Sequence, residues 1–555
     1  MSRIDTEALK PETTTLDIPT LGSVKGNKFI ELDGLTQYSG IPFASIPGRF
    51  QKPVLLTKWD VQQLDCTQFG PYSVQPPRNF YPLPGFARPW AKAPVQSELD
   101  VLNLNVSVPP GTKPDDKLPV MVFIHGGANA YAANSAPMYD GLNLAKFSKE
   151  LGEPTVIVTL NYRLGSFGFL ASTDLKKYSE RLGQTGVGNY ALWDQLTGLR
   201  WVNQYIGAFG GDKEKITLFG QSAGSQAAHM MMLKGEKLFN RVLLQSGLSP
   251  LCGIFSLAQY DVVYFKILKE LGIDTNLSPE ERVQALLKTD AVTLSDATAK
   301  VFGVPVLTMA YTQDDDFIDH IPSWGELGAA GQIPDFVDAV VVGDAANECI
   351  IWDGTYGSFA TREKFLPRLK SMCSPELYTL ITESYDITSD LSDADTFNKV
   401  EQFTSDGMYI LPNYVFTKGN ADTDKLYTFH FNQLSEYDNA WGGYAHHSLD
   451  NAHVWLNLYN TFPDHGKKLA IAMATAWLNF ANGKEEPFEK WNSGNRYLNF
   501  GPSGEIGRFV TRSDDEVRAG RYNIWDKIIS AGLVEEFGRV SEDINLERTK
   551  LHGYC

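Results

Sequence analysis

One serine in the sequence lies in a setting that could make its hydroxyl a nucleophile. The segment Gly220–Gly224, which reads GQSAG, follows an apolar run at 216–219 and precedes a stretch of small residues and Met at 225–233. Strand, G-x-S-x-G and helix is the arrangement of a nucleophile elbow, in which a sharp turn projects the serine beside a helix N-terminus. Glycine permits such a turn, so the pattern predicts Ser222 as a nucleophile.

An activated serine also needs a base, an acid that orients the base, and donors for the oxyanion. Candidates for these roles are Gly126–Ala128, Glu348 and the pair His446-His447. Each lies at the end of a predicted strand or in the loop after it, and the carboxyl ends of parallel strands converge on one edge of a sheet. The order of these segments along the chain is that of α/β-hydrolase folds.

The elements that must position these residues alternate between short apolar strands and helices. This alternation predicts a large, mostly parallel central sheet covered by helices on both faces, with helical insertions. The predicted buried strands are 118–124, 155–160, 216–219, 242–244 and 339–342, and 426–431 is predicted as a further strand. The predicted helices include 189–205, 467–482 and 518–529. We expect residues 1–20 to form a loosely ordered arm and residues 21–555 to form a single large domain.

Composition excludes several classes of function. The chain has 555 residues and a net charge of −17, which argues against a general phosphate-binding surface and therefore against nucleic acid as a partner. No apolar run approaches the roughly 18 residues of a membrane span. Five scattered cysteines and a polar N-terminus predict free thiols in a reducing, cytoplasmic environment. Composition leaves the oligomeric state open.

A proline- and aromatic-rich segment, Gln75–Ala93, differs from the rest of the chain. Its prolines exclude regular structure, and a loop of this length usually packs over another part of the protein. It is interpreted as an aromatic loop over the active site, although a loop that covers the edge of the core has the same composition. Phe86 and Trp90 of this segment, together with Gln221, are the candidate residues of the substrate pocket.

Several ordered motifs resemble those of the type-B carboxylesterase/cholinesterase family of α/β hydrolases, over about residues 20–535. The matching segments are Gly40–Ala44 with Arg49-Phe50, Asn161–Arg163, Gly168–Leu170, Gly188-Asn189, Phe209–Asp212 and Trp477–Ala481. The resemblance implies an α/β-hydrolase fold and a carboxylic ester hydrolase whose partner is a small-molecule ester. It implies no metal and no organic cofactor.

The resemblance also assigns roles to individual residues. Ser222 matches the nucleophile, and Glu348 matches the acid that follows a glycine by five positions. The family's catalytic histidine precedes an acidic residue by three positions, which favours His447, with Asp450, over His446. The implied oxyanion donors are the backbone N–H groups of Gly127, Ala128 and Ala223.

Three departures from the family pattern carry information. Secreted members join two cysteines around the aromatic loop, and the matching positions here are Val74 and Val101, which favours an intracellular enzyme with a more mobile loop. Gln221 replaces the usual Glu before the nucleophile, which weakens the case for a cationic substrate. Ala128 replaces a Gly, and its methyl group narrows the space near the carbonyl.

Other interpretations of the same residues remain open at this point. Asp344 is the rival of Glu348 as the acid, and the two histidines with His453 could form a metal site, although no suitable ligand spacing supports one. Three further residues are expected to serve packing rather than chemistry, namely His125, His229 and the thiol of Cys349.

The sequence therefore predicts a serine esterase that works through an acyl-enzyme. A lipase or a biosynthetic acyltransferase would use the same three residues, and a non-catalytic binding protein of the same family is the alternative from another class. The retained Ser222, Glu348 and His447 argue against the binding protein.

Overall fold

The computed structural model describes residues 9–77, 90–303, 307–320, 322–491, 496–502, 505–511, 514–515, 517–518 and 520–553. Within these ranges the apolar runs assemble into a sheet of 13 strands, in the order β1-β2-β3-β9-β11-β10-β12-β13-β16-β17-β18-β19, with β6 beside β2. The strands are β1 (Glu12–Ile18), β2 (Gly22–Phe29), β3 (Leu35–Pro42), β4 (Ala44–Ser45), β5 (Val54–Leu55), β6 (Gln63–Asp65), β7 (Tyr72–Ser73), β8 (Gln96–Ser97), β9 (Asn103–Val108), β10 (Leu118–Ile124), β11 (Val156–Leu160), β12 (Gly211–Gln221), β13 (Arg241–Gln245), β14 (Ile254–Phe255), β15 (Tyr311–Thr312), β16 (Ala339–Ala345), β17 (Leu426–Phe431), β18 (Tyr497–Phe500) and β19 (Arg508–Val510).

Helices connect and cover these strands. They are α1 (Leu142–Leu151), α2 (Gly165–Phe169), α3 (Thr173–Arg181), α4 (Tyr190–Tyr205), α5 (Ala223–Lys234), α6 (Leu257–Glu270), α7 (Pro279–Lys288), α8 (Ala291–Phe302), α9 (Trp324–Leu327), α10 (Asp353–Tyr356), α11 (Phe365–Met372), α12 (Pro375–Ser384), α13 (Asp393–Ser405), α14 (Leu411–Gly419), α15 (Leu449–Val454), α16 (Asp464–Ala481), α17 (Arg521–Ser530), α18 (Val534–Leu546) and α19 (Arg548–His552). A π-helical turn, Asp406–Ile410, joins α13 to α14. Among the described helices, none combines the length and the apolar character needed to cross a bilayer.

The central strands are parallel from β11 through β10, β12, β13, β16 and β17 to β18. Val120–Ile124 of β10 pairs with Val156–Leu160 on one side and with Ile216–Gly220 on the other. The strands therefore end together, and the segments that follow β10, β12, β16 and β17 meet at one edge of the sheet. These are the segments in which the sequence places its candidate functional residues.

Two apolar cores lie on opposite faces of the sheet. Alternate residues of β10 face different cores: Val120 and Val122 belong to the larger cluster, whereas Met121 and Phe123 belong to the smaller one with Trp455 and helix α16. A strand buried on both faces lacks polar alternation, which is why β10 and its neighbours appear in the sequence as continuous apolar runs. The predicted mostly parallel sheet with helices on both faces is confirmed.

The expectation of a loosely ordered arm over residues 1–20 is wrong for part of that range. Glu12–Ile18 forms strand β1 and pairs antiparallel with β2 over seven residues. Most side chains of β1 are exposed or half-buried, so an edge strand here needs no apolar alternation to form. Residues 1–8 lie outside the described residues, and the domain range 21–555 stays a prediction.

Candidate active site

Ser222 lies at the turn between β12 and α5. Its backbone has φ 60° and ψ −130°, and its N–H donates to the carbonyl of Gln245 at 2.8 Å. The turn is possible because two glycines lie against other backbone: a Cβ at Gly220 would lie 2.2 Å from the oxygen of Gly224, and one at Gly224 would lie 2.0 Å from the oxygen of Ile124. The turn leaves Ser222 as the residue that precedes helix α5 and its N–H groups.

His447 and Glu348 contact each other beside the turn, next to Gln221. Nδ1 of His447 makes a short hydrogen bond to Oε2 of Glu348, and both side chains are fully buried. Oε1 of Glu348 accepts the N–H of Ala345 at 2.7 Å, which fixes the carboxylate from its other side. The imidazole also packs against the ring of Tyr409, with 5.0 Å between ring centroids. These contacts orient His447 so that Nε2 faces the elbow.

Gln221 supplies the partner of that second ring nitrogen. Its Nε2 lies 2.9 Å from Nε2 of His447. When Nδ1 carries the proton of the neutral ring and donates it to Glu348, Nε2 is free to accept the N–H of the Gln221 amide. In this tautomer Nε2 can also accept the proton of a serine. Within the described residues the hydroxyl of Ser222 makes no hydrogen bond to His447. Gln221 was expected in the substrate pocket, and the structure places it beside the histidine.

The segment predicted to bind the oxyanion, residues 126–128, follows β10 as a tight turn. Gly127 and Ala128 have φ values of 107° and 55°, and the carbonyl of Gly127 accepts the N–H groups of Ala130 and Tyr131 at 2.9 Å each. Among the described residues no acceptor binds the N–H groups of Gly127 and Ala128, and Ala223 is the first residue of α5, where N–H groups have no partner within the helix. These three donors lie beside the elbow, because a Cβ at Gly126 would lie 2.9 Å from Cβ of Ser222.

The rivals for the acid and the base point elsewhere. Nδ1 of His446 bonds to the carbonyl of His447 at 2.9 Å, and its ring packs on Trp441. Oδ1 of Asp344 bonds to Nδ1 of His430 at 2.6 Å and to Arg518 at 2.8 Å. Although burial raises the pKa of Asp344, the charges of these two partners hold it below its ordinary value. Both rivals are thus occupied by other groups.

Three residues expected to serve packing do so. His125 stacks on Tyr162, and burial lowers its pKa to about 4. His229 contacts Phe416 and accepts the N–H of Ser249 at 3.1 Å. The thiol of Cys349 is fully buried, and burial raises its pKa well above the ordinary value, which makes it a poor nucleophile.

Of the two aromatic residues predicted to line the substrate pocket, Trp90 lies in the part of the chain that the structure describes. Trp90 packs on Phe29, at 5.4 Å between ring centroids, and on Phe69, at 5.9 Å. Phe86 lies outside the described residues, so its place in a pocket stays a prediction, as does the mobility of the loop. His453, the third residue of the alternative metal site, stacks on Phe462, and no group of three or more metal-ligating side chains occurs in the described ranges.

Sequence reasoning missed the roles of two buried carboxylates near the pair of His447 and Glu348. Asp450 accepts a hydrogen bond from Gln245 at 2.8 Å, and burial raises its pKa to about 6. Glu401 accepts hydrogen bonds from Asn347 and Ser405, and burial raises its pKa to about 7. The spacing of Asp450 from His447 was a signal in the sequence, whereas Glu401 had none.

The turn at Ser222, the pair of His447 and Glu348 and the turn at residues 126–128 occur in a chain whose sequence matches one protein family along most of its length. Residues 12–525 match the model of the carboxylesterase family. The chain belongs to this family. It is a carboxylic ester hydrolase, and the resemblance stated from the sequence is confirmed.

Relatives of this carboxylesterase include proteins named as lipases and as esterases. Lipase 3 of Yarrowia lipolytica is 30% identical over 498 residues, which cover 86% of this chain and 91% of that protein. Lipase 2 of Geotrichum candidum is 36% identical over 305 residues, or 50% of this chain and 52% of that protein. The para-nitrobenzyl esterase of Bacillus subtilis is 40% identical over 234 residues, or 41% and 42% of the two chains.

Solved structures extend the similarity to the whole fold. A PNB esterase superposes with a TM-score of 0.71 at 25% identity and covers 91% of this carboxylesterase and 99% of its own chain. A carboxylesterase from Geobacillus stearothermophilus gives a TM-score of 0.72 at 25% identity, with 92% and 100% coverage. The α/β-hydrolase fold predicted from the sequence is thereby confirmed.

Proposed function

We propose that this carboxylesterase cleaves esters through an acyl-enzyme on Ser222, with His447 as general base and Glu348 as the orienting acid. The observation that carries the proposal is the position of the His447 ring. Nδ1 is held by Glu348, and Nε2 reaches the side chain next to the serine. Because Ser222 and Gln221 are adjacent, the serine hydroxyl takes the place of the Gln221 amide at Nε2 when the nucleophile is activated.

The chemistry follows from these contacts. Ser222 loses its proton to Nε2 of His447 as its oxygen attacks the carbonyl carbon of the ester, and Glu348 stabilises the imidazolium. The N–H groups of Gly127, Ala128 and Ala223 bind the oxyanion. The tetrahedral intermediate expels the alcohol, which takes the proton from His447. Water then attacks the acyl-enzyme with His447 as base again, and the acid product leaves.

The strained serine conformation supports this assignment. A non-glycine residue at φ 60° and ψ −130° is unusual, and such strain concentrates at functional sites. Ser222 is also 5% exposed, whereas Gln221 next to it has no exposed surface. The serine is therefore the residue of the elbow that a substrate can reach.

A p-nitrophenyl ester series tests the proposal, with native enzyme beside Ser222→Ala and, as a matched control, Ser225→Ala. Ser225 follows on α5, and its hydroxyl donates to the carbonyl of Gly247 at 2.6 Å. We expect Ser222→Ala to lose at least about 10³-fold in kcat, in line with removal of a nucleophile, and Ser225→Ala to keep activity within an order of magnitude. Equal activity of native enzyme and Ser222→Ala would refute the proposal.

The length of the acyl chain separates an esterase from a lipase. The relatives named as lipases favour activity on long acyl chains as a second candidate. Rates on short esters in solution and on emulsified long-chain esters distinguish the two, and added alcohols distinguish hydrolysis from acyl transfer by the products formed.

We also propose that the enzyme works in a reducing compartment. Val74 and Val101, which take the positions of paired cysteines in secreted members, are both buried in the larger core. Apolar packing thus holds the base of the aromatic loop where a disulfide would otherwise lie. Fractionation of cells of the source organism tests this proposal, and recovery of the enzyme from the medium alone would contradict it.

A further inference from the structure

The acid and the base of the proposed triad sit on two separate loops that must keep their relative position. The acid loop, residues 346–349, follows β16, and the histidine loop, residues 441–447, precedes α15. The short hydrogen bond between Glu348 and His447 forms only because the two loops hold this relative position. A small shift of either loop would break it, and misplacement by about 1 Å can cost about 10² in rate.

One side chain joins the two loops. Asn347 donates its backbone N–H to the carbonyl of Ala445 at 3.0 Å, and its Oδ1 accepts the N–H of Ala445 at 3.1 Å. Because Oδ1 is an acceptor in this contact, the amide nitrogen of Asn347 must point the other way. There Nδ2 donates to Oε2 of Glu401 at 2.9 Å.

The second oxygen of Glu401 reaches the other flank of Glu348. Ser405, one helical turn further along α13, donates its hydroxyl to Oε1 of Glu401 at 2.6 Å. The same hydroxyl accepts the backbone N–H of Cys349 at 2.8 Å. Glu401 therefore holds both neighbours of Glu348, residues 347 and 349, from a helix that is not part of either loop.

We propose that Glu401 is a positioning residue of this esterase, which fixes the acid loop and the histidine loop to each other through Asn347 and Ser405. The inference rests on the triad of the proposed function. Glu401 itself is 1% exposed and touches neither Ser222 nor His447. It acts on the reaction only through the geometry of Glu348 and His447.

The surroundings of Glu401 suit a fixed hydrogen-bond acceptor. It lies at the wall of a polar cavity of about 560 Å³, which residues of both loops and Arg521 also line. Arg521 is paired with Asp406, and both lie close enough to influence Glu401 electrostatically. The positive charge of Arg521 stabilises the negative charge of the Glu401 carboxylate, while Asn347 and Ser405 remain its hydrogen-bond donors.

Two substitutions distinguish positioning from general stability. In Glu401→Gln the carboxamide oxygen accepts from Asn347 and the amide N–H donates to Ser405, whose oxygen still accepts from Cys349. We expect this variant to keep kcat within about threefold. Glu401→Ala removes both contacts, and we expect kcat to fall about 10- to 100-fold while KM changes by less than about threefold.

A second buried carboxylate, which has no hydrogen bond to either loop among the described residues, supplies the matched control. Asp515 accepts the hydroxyl of Tyr497 at 2.6 Å and the N–H groups of residues 517 and 518 at 3.0 Å each. Asp515→Ala is expected to lower the melting temperature but to leave kcat of the folded enzyme within about twofold. If Glu401→Ala yields no folded protein, Ser405→Ala, which removes one contact, takes its place with an expected loss of about three- to tenfold.

The outcomes decide the proposal separately from the triad. The positioning role is overturned if folded Glu401→Ala has an unchanged kcat, or if Glu401→Gln is as slow as Glu401→Ala. If Ser405→Ala replaces Glu401→Ala in the test, an unchanged kcat in Ser405→Ala overturns it. If Ser222→Ala is fully active, the proposed function fails instead. The assay is p-nitrophenyl ester hydrolysis at saturating and at low substrate, so that kcat and KM are obtained separately.

Discussion

Glu348→Gln tests the orienting acid with a side chain of nearly the same shape. Both oxygens of Glu348 are in use, one by the N–H of Ala345 at 2.7 Å and the other by Nδ1 of His447. A carboxamide has only one oxygen. If that oxygen stays on Ala345, the amide N–H groups face Nδ1, and His447 must carry its proton on Nε2. In that tautomer it cannot accept the proton of Ser222.

The expected loss is large because the wrong tautomer removes the base. In a serine protease the corresponding change lowers kcat by about 10⁴, or about 5.5 kcal/mol of transition-state stabilisation. We expect a loss of about 10³- to 10⁴-fold in kcat for Glu348→Gln on p-nitrophenyl esters. The opposite orientation of the amide, with its oxygen toward Nδ1, is also unfavourable. It places an N–H group against the buried N–H of Ala345, and neither group can accept a hydrogen bond.

Asp344→Asn is the control for the same assay. Asp344 is equally buried but binds His430, Arg518 and Asn413 rather than His447. We expect a lower melting temperature and a kcat within about threefold of the native value. The assignment of the acid is refuted if Glu348→Gln keeps more than a tenth of native kcat, or if Asp344→Asn is the inactive variant.

Further expected results concern the base, the oxyanion turn and a buried carboxylate. His447→Ala abolishes ester hydrolysis and His446→Ala keeps it, since His446 bonds to backbone; the reverse pattern of rates would reassign the base. Ala128→Gly removes the methyl group near the carbonyl, so the ratio of kcat/KM for branched over linear esters rises severalfold, and an unchanged ratio contradicts the steric argument. The pKa of Asp450 is raised by burial from 3.8 to about 6, so the folded state binds the proton more tightly than the unfolded state and the free energy of unfolding falls as pH rises through this window. Asp450→Asn removes that fall, so its free energy of unfolding at pH 7 exceeds that of the native enzyme by up to about 3 kcal/mol. Urea unfolding at pH 4 and pH 7 measures this, and an equal change between the two pH values in both proteins would contradict it.

Much of the fold could be predicted because its central strands are buried on both faces. The predicted bounds of β10 and β17 agree with the structure to the residue, since β10 is a continuous apolar run and β17 has aromatic residues at alternate positions. Strand β1 was missed because an exposed edge strand carries threonine and acidic residues instead. Strand β18 was not predicted, since Asn499 interrupts its apolar residues.

In the candidate site, features that depend on neighbouring residues were also easier to predict than contacts between residues far apart in the chain. Ser222 and the turn around it depend on neighbours in the chain, so a short motif predicts them. The contact of His447 with Glu348 joins residues 99 positions apart, and order along the strands was enough to predict it. The contact of Glu401 with Asn347 joins residues 54 positions apart through a helical insertion, where no periodicity or motif connects the two.

The position of Gln221 could not be predicted from its residue type. A glutamine before the serine indicates only the loss of a negative charge. Its hydrogen bond to Nε2 of His447 depends on the side-chain rotamer and on the loop that brings the histidine to the elbow. Such contacts between side chains far apart in the chain depend on how the elements pack, and a pattern of residue types along the chain does not contain that information.

The most direct test of the central claim is the site of covalent attachment of a fluorophosphonate probe. Intact mass of the labelled enzyme gives the number of adducts, and peptide mapping gives the residue. We expect one adduct, on Ser222, with no labelling of Ser222→Ala and slow labelling of His447→Ala. A native enzyme that takes no label, or an adduct on any residue other than Ser222, would contradict it.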